Sequence, residues 1–230
     1  YCDGDPWQKY WVEFKDVDNK IVPVASILTM AGTGSEMNGG SVITNEDAML
    51  KNGRVFPPNV NPKFSILNPE YTFTVPKYQM SSGIFDTMSH LMEQYFSGDD
   101  DNTTDYILEG VMRSLIHSAK AALKNQEDYE ARSNIMWCAT IGLNTVTGLS
   151  KEQDWEVHMI EHQVGAYTDC AHGAGLAVIT PRWMKEILSE KTVERFTTLG
   201  TLLFGFDKTL SDMEMAGKVI DAFYNFFESI

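Results

Sequence analysis

From Pro76 onward the apolar residues of this chain recur at helical spacing, and before it they do not. That change of period limits the possible folds more than any other feature. Met80, Ile84, Met88, Leu91, Met92 and Tyr95 fall three or four apart, the repeat that brings side chains onto one helix face. Pro76 suits the first helical position, where its missing N–H costs nothing. A polar break at Asp100–Thr104 supplies N-cap residues. Further helical runs follow over Tyr106–Leu123, Asp128–Leu149, Trp155–Ala166, Gly173–Leu188 (interrupted near Pro181), Thr192–Leu203 and Ser211–Ile230. Ahead of Pro76 the texture is β-like. Ile21–Thr29 reads as a short buried strand, Ser41–Thr44 and Arg54–Phe56 as a hairpin or paired edge strands, and Phe64–Leu67 as another apolar run ended by Asn68-Pro69. The expected class is α+β, mainly α, with a strand-rich part over 1–75 and an all-helical bundle over 76–230.

Chemistry concentrates in two places. Asp154–His172 (DWEVHMIEHQVGAYTDCAH) holds His158, His162 and His172, three of the five histidines in the chain. Upstream, Asp86 and His90 sit four residues apart in GIFDTMSHLMEQYF. On helices each spacing of four puts both side chains on one face, and two such faces turned together could enclose one metal ion. Spacing alone leaves open which histidines are ligands. HMIEH also fits the inverted zinc-protease pattern, with Glu161 as general base, and a third reading has the histidines merely packing. Glu93 is read as lying on a solvated face, with a supporting place behind the metal ligands as the lesser alternative, His117 as structural, and Cys170 as a small buried hydrophobe. Ala31–Glu36 (AGTGSE) is a glycine-rich turn. Its backbone N–H groups, with Thr29, Thr33 and Ser35, could converge on an anion, or it is a tight turn and nothing more. It matches neither the P-loop nor the dinucleotide fingerprint.

Composition removes some classes. A formal charge of -14 lacks the basic footprint of a nucleic-acid binder. No apolar run is long enough for a membrane span, and no signal peptide is present. Cys2, Cys138 and Cys170 are too few and irregular for a disulfide framework, so a reducing, cytoplasmic setting is expected. The chain begins at Tyr1 and stops at Ile230 inside an amphipathic pattern, which reads as a piece of a longer protein.

LTMAGTGSEMNGGSVIT, LNPEYTFTVP, GIFDTMSHLMEQYF, NIMWCATIGLN and DWEVHMIEHQVGAYTDCAHGAGLAVITP run in order across Thr29–Pro181. Together they resemble the iron-containing (group III) alcohol dehydrogenases, closest to the NADPH-dependent butanol dehydrogenase branch. The resemblance implies the dehydroquinate synthase-like fold. Residues 1–75 would be a truncated remnant of an α/β nucleotide-binding domain and 76–230 the helical, metal-binding catalytic domain. It implies Asp86, His90, His158 and His172 as ligands of Fe²⁺ or Zn²⁺, and His162 beside the nicotinamide as a proton relay. Thr29, Thr33, Val42, Lys51 and Leu67 fall on cofactor-lining positions. The implied reaction is hydride transfer between NADP(H), rather than NAD(H), and a small alcohol or aldehyde, in a full-length parent that is a homodimer. It demotes the hydrolase reading to coincidence. Two departures stand out. Asn68 replaces an aspartate common in the family, and the pyrophosphate-binding glycine motif would lie before Tyr1. The chain as given is therefore expected to hold metal but to bind dinucleotide weakly.

Overall fold

A computed structural model describes residues 2–98, 102–149 and 151–230. Seven helices dominate: α1 (Lys77–Phe96), α2 (Asn102–Lys124), α3 (Tyr129–Leu143), α4 (Glu156–Thr168), α5 (His172–Ile187), α6 (Val193–Phe204) and α7 (Asp212–Ser229). The chain is thus mainly α with few strands. Helix α1 is the axis. Every residue from Met80 to Phe96 is buried, as a helix with apolar residues on most of its faces must be, and α2, α3, α4 and α5 pack around it. Away from Asp86 and His90, several of its polar groups are paired. Thr87 Oγ1 donates to the Gly32 and Gly83 carbonyls, and Gln94 Nε2 to those of His90 and Gly142. Aromatic contacts close the far end, where Phe96 meets Phe196 at 4.5 Å and Trp183 at 5.9 Å between ring centres.

Two glycines bring the site-bearing segments together. A Cβ at Gly83 would lie 2.0 Å from the Ala31 carbonyl oxygen, and one at Gly173 would lie 1.8 Å from that of Ser82. Only the absence of a side chain lets the 31–36 turn and the start of α5 approach α1 so closely.

The strands are short. β1 (Ser26–Ile27) pairs in parallel with β4 (Ser65–Ile66), and β2 (Gly40–Asn45) pairs antiparallel with β3 (Leu50–Val55), setting Val42 opposite Gly53 and Thr44 opposite Lys51. A π-helical turn, Trp7–Val12, braces this hairpin. Asn52 Nδ2 donates to the Trp11 carbonyl at 3.1 Å, and Arg54 Nη1 to that of Tyr10 at 2.9 Å.

Several expectations need correction. Ile21–Thr29 is not a buried strand: two of its residues pair, and Val22, Val24 and Ile27 are exposed because no described layer covers them. The second hairpin strand starts at Leu50 rather than Arg54, the ladder extending to the Asn45–Leu50 turn. Asp128–Leu149 is not one helix. Thr145, at φ 77°, turns left-handed and ends α3, and a 3₁₀ turn over Val146–Gly148 follows. Helix α5, by contrast, runs unbroken through Pro181. Packing against α1, α4 and α7 outweighs the lost N–H. Pro76 stands at the N-cap, one residue before the helix proper. Of the predicted break at Asp100–Thr104, Asp100 and Asp101 lie outside the described residues. Among the described residues no helix is long and apolar enough to cross a membrane.

Candidate metal centre

Helices α1, α4 and α5 bring four predicted ligands to one point. Asp86 Oδ1 lies 3.2 Å from His90 Nε2, 3.5 Å from His158 Nε2 and 3.6 Å from His172 Nε2. The His90 and His158 rings stack at 4.7 Å, and His158 meets His172 at 5.2 Å. Asp86 and His90 share a face of α1, one turn apart, while His158 comes from the first turn of α4 and His172 opens α5. Thr33 Oγ1, from the glycine-rich turn, donates to the other Asp86 oxygen at 3.2 Å.

The donor set fits a divalent cation. Asp86 Oδ1 and His158 Nε2 are buried and have no hydrogen-bond partner among the described residues. A buried carboxylate oxygen left so is costly, and a cation among these four groups removes the cost. One carboxylate and three imidazoles suit Fe²⁺ or Zn²⁺. The ionisable groups of the cluster shift one another. Burial opposes the charge on Asp86, yet the surrounding His90, His158 and His172 prevail and hold its pKa below the ordinary carboxylate value. Burial pushes His90 down to about 3, aided by the neighbouring imidazoles and against the pull of Asp86. Burial also works to lower His158, but Asp86 and Glu93 lift it to about 9.

Behind the imidazoles stand two carboxylates. Glu93, 1 % exposed, is hydrogen-bonded to His158 Nδ1 through Oε1, an oxygen that also accepts from Ser89 Oγ at 3.0 Å. This corrects the solvated-face reading. Its side chain points into the α1–α4 seam, and apolar neighbours on both sides (LMEQYF) were the available signal. Glu161 is fully buried, and its Oε2 meets both His172 Nδ1 and Lys51 Nζ, the latter at 3.3 Å. A carboxylate engaged in this way is not free to serve as the general base of a hydrolase. Glu161, His162 and His172 also approach within 4.8 Å of one another, but a second cation there would compete with the Lys51 ammonium.

A cavity of about 660 Å³ opens on the cluster, lined on one side by His90, His158, His162 and His172. Across from them are Thr33, Val42 and Lys51, and Trp155, Met159 and Leu143 supply apolar wall. A second cavity, of about 410 Å³, touches the cluster from the other side, where Thr33, Gly34 and Ser35 of the glycine-rich turn face Asp86 and His172. His162 is buried with neither ring nitrogen hydrogen-bonded among the described residues, and burial with the nearby His172, His158 and Lys51 pushes its pKa down to about 4. Thr33, Val42 and Lys51 thus share one cavity. Thr29 and Leu67 do not join them: they follow β1 and β4 and line neither cavity, Thr29 being exposed. Cys170 is half-buried in the loop between α4 and α5, not buried as expected, because residues 169–171 pass over the surface. His117 is exposed on α2.

The sequence model "Fe-containing alcohol dehydrogenase family, C-terminal" matches residues 80–230, and "Iron-containing alcohol dehydrogenase" matches residues 2–69. Among curated relatives, NADH-dependent butanol dehydrogenase A of Clostridium acetobutylicum is 41% identical, over 100% of this chain and 59% of the relative. NADPH-dependent aldehyde reductase YqhD of Escherichia coli is 34% identical, over 98% of this chain and 58% of the relative. Among solved structures, NADH-dependent butanol dehydrogenase A from Thermotoga maritima superposes with a TM-score of 0.92 at 37% identity, over 99% of this chain and 56% of that one. The chain therefore spans less than two thirds of the length of the relatives it matches.

Proposed function

The chain belongs to the iron-containing alcohol dehydrogenase family, and on that premise we propose that the protein is a metal-dependent alcohol dehydrogenase or aldehyde reductase acting on small substrates with a nicotinamide dinucleotide. The observation that carries this reading is the convergence of three imidazole Nε2 atoms on the partnerless Asp86 Oδ1. That convergence lies at the edge of a cavity large enough for a ring and a short-chain alcohol. When bound, the metal supplies Lewis-acid polarisation of the substrate oxygen, and the nicotinamide carries the hydride.

The chain's own residues do the rest. Asp86, His90, His158 and His172 hold the ion. Trp155, edge-on to His90 at 6.0 Å and His158 at 5.4 Å, forms with Met159 and Leu143 an apolar wall for an alkyl chain and keeps water from it. Thr33, Val42 and Lys51 face the dinucleotide, with Thr29 and Leu67 assigned to its more distant parts by family resemblance. His162, neutral at physiological pH with both nitrogens free, passes the hydroxyl proton between substrate and solvent. The relative at 41% identity is named NADH-dependent and the one at 34% NADPH-dependent, so the NADP(H) expectation has no clear support. The division near residue 75 belongs to the same proposal, and the two family matches, ending at 69 and starting at 80, favour it. The cytoplasmic setting, read from the sparse cysteines, and the homodimer, implied by resemblance, are part of the same proposal.

The test is an NADH- and NADPH-linked assay of the full-length protein with straight-chain aldehydes. Turnover is expected to vanish on chelation, to return with Fe²⁺ or Zn²⁺, and to fall at least about a hundredfold in His158→Ala. Turnover indifferent to both chelator and substitution overturns the reading.

A further inference from the structure

Glu93 and Glu161 both brace an imidazole, but their surroundings differ. Glu93 is tied only to α1 and α4. Glu161 takes its second partner from the hairpin: Lys51, on β3, donates to the same Oε2 that holds His172 Nδ1. Space for the pair is built in. A Cβ at Gly165 would stand 2.9 Å from Lys51 Nζ and 3.0 Å from Glu161 Oε1, and a Cβ at Gly175 would stand 2.8 Å from Glu161 Cγ. The hairpin backbone is held at the same residue, since Gln163 Nε2 donates to the Lys51 carbonyl at 3.1 Å. A continuous line therefore runs from a lysine on the wall of the cavity, through one buried carboxylate, to an imidazole of the metal centre.

We propose that Glu161 is a positioning residue that fixes His172 with Nε2 toward the metal and, through Lys51, couples the β2–β3 hairpin to metal affinity. The proposal rests on the metal-centre reading above. A hydrogen-bonded carboxylate on the far nitrogen sets the tautomer and the orientation of a ligating histidine, and its loss costs about 10- to 100-fold in metal affinity. An ammonium on that carboxylate draws its charge away from the imidazole. Whatever engages or releases Lys51 at the cavity wall is then felt at the metal, although Lys51 is not a ligand.

The experiment is Co²⁺ titration of the purified chain, read by calorimetry and by the d–d absorption of the bound ion. The proteins are wild type, Glu161→Gln, Lys51→Met, the double variant and His158→Ala, with far-UV circular dichroism of each metal-free protein as the folding control. Glu161→Gln is expected to weaken Co²⁺ about 10- to 100-fold and to shift the d–d bands. Lys51→Met is expected to change affinity about threefold or more beyond the change it makes when residue 161 is glutamine. Direct repulsion between ammonium and ion is common to both backgrounds, so the cycle isolates what passes through Glu161. Unchanged Co²⁺ binding and spectrum in a folded Glu161→Gln, or additive effects in the cycle, overturn the proposal and leave the metal centre standing. If Glu161→Gln does not fold, the d–d bands of Lys51→Met decide: a shift supports the relay through Glu161 to His172, and an unchanged spectrum overturns the proposal. Wild type that takes up no more Co²⁺ than His158→Ala removes the metal centre itself, and the proposal with it.

Discussion

Glu93 receives donors from three sides: Ser89 Oγ, the N–H groups of Val157 and His158, and the His158 ring. The first turn of α4 has no side-chain cap of its own, Trp155 being the N-cap residue, and its free N–H groups need an acceptor. Glu93 supplies one from α1, with its charge at the positive end of the helix. Glu93→Ala leaves those groups unpaired in the core and is expected to cost about 3 kcal/mol, read as a lower urea midpoint. It should also weaken metal binding about 10-fold or more through His158, whereas a solvated glutamate would show neither effect. At this scale the sequence disclosed the ligand candidates, but Glu93 only as a less favoured support and Glu161 not as one. Asp86/His90 and His158/His162 stand out because helical spacing is local. A cap donated across 64 residues leaves no local trace, and Glu161 was visible only as a hydrolase candidate because its Lys51 partner is 110 residues away.

The helices were legible as elements because period and caps are written along the chain, and Ser211 with Glu214 forms a full capping box at the start of α7. Where the reading failed, a tertiary contact decided. Thr145 leaves the helix of α3, and the turn that follows buries Thr147 Oγ1 against Gln94 Oε1 at 2.8 Å. In α5 the seam with α1 overrides Pro181, and the exposed Val22, Val24 and Ile27 lack the covering layer that strand composition implies. Close approach is the hidden variable at this scale, and two glycines separate it from helix propensity. Gly110, in α2, has open space where a Cβ would go, while Gly173 has the Ser82 carbonyl oxygen at 1.8 Å. Gly110→Ala is expected to stabilise the protein by about 1 kcal/mol, the usual cost of glycine inside a helix. Gly173→Ala is expected to destabilise it by about 1–3 kcal/mol, because α5 must lift from α1. Thermal melts of the two variants should move in opposite directions. Only Gly173→Ala should also impair Co²⁺ binding, since His172 rides on the displaced end.

At the scale of the whole molecule, the proposed metal centre joins segments that lie far apart in the sequence. Asp86 and His90 come from the buried axis α1, His158 and His172 from α4 and α5, and Thr33 reaches Asp86 from the glycine-rich turn. An ion bound there exists only in the folded arrangement, so its binding energy adds to folding. At a free concentration about one hundred times the dissociation constant, the gain is about 2.7 kcal/mol. For a protein of this size each kcal/mol moves the melting temperature by about 2–4 °C, and the expected rise with Fe²⁺ or Zn²⁺ is therefore about 5–10 °C. The rise should grow with the logarithm of metal concentration, reverse with chelator, and be absent in His158→Ala, whose helix keeps its other contacts. Calcium makes the control, because a site of three imidazoles and one carboxylate is poorly matched to a cation that prefers six to eight oxygens. Equal shifts with calcium and zinc would mean that the acidic surface of a chain with formal charge -14 is binding cations without a defined centre.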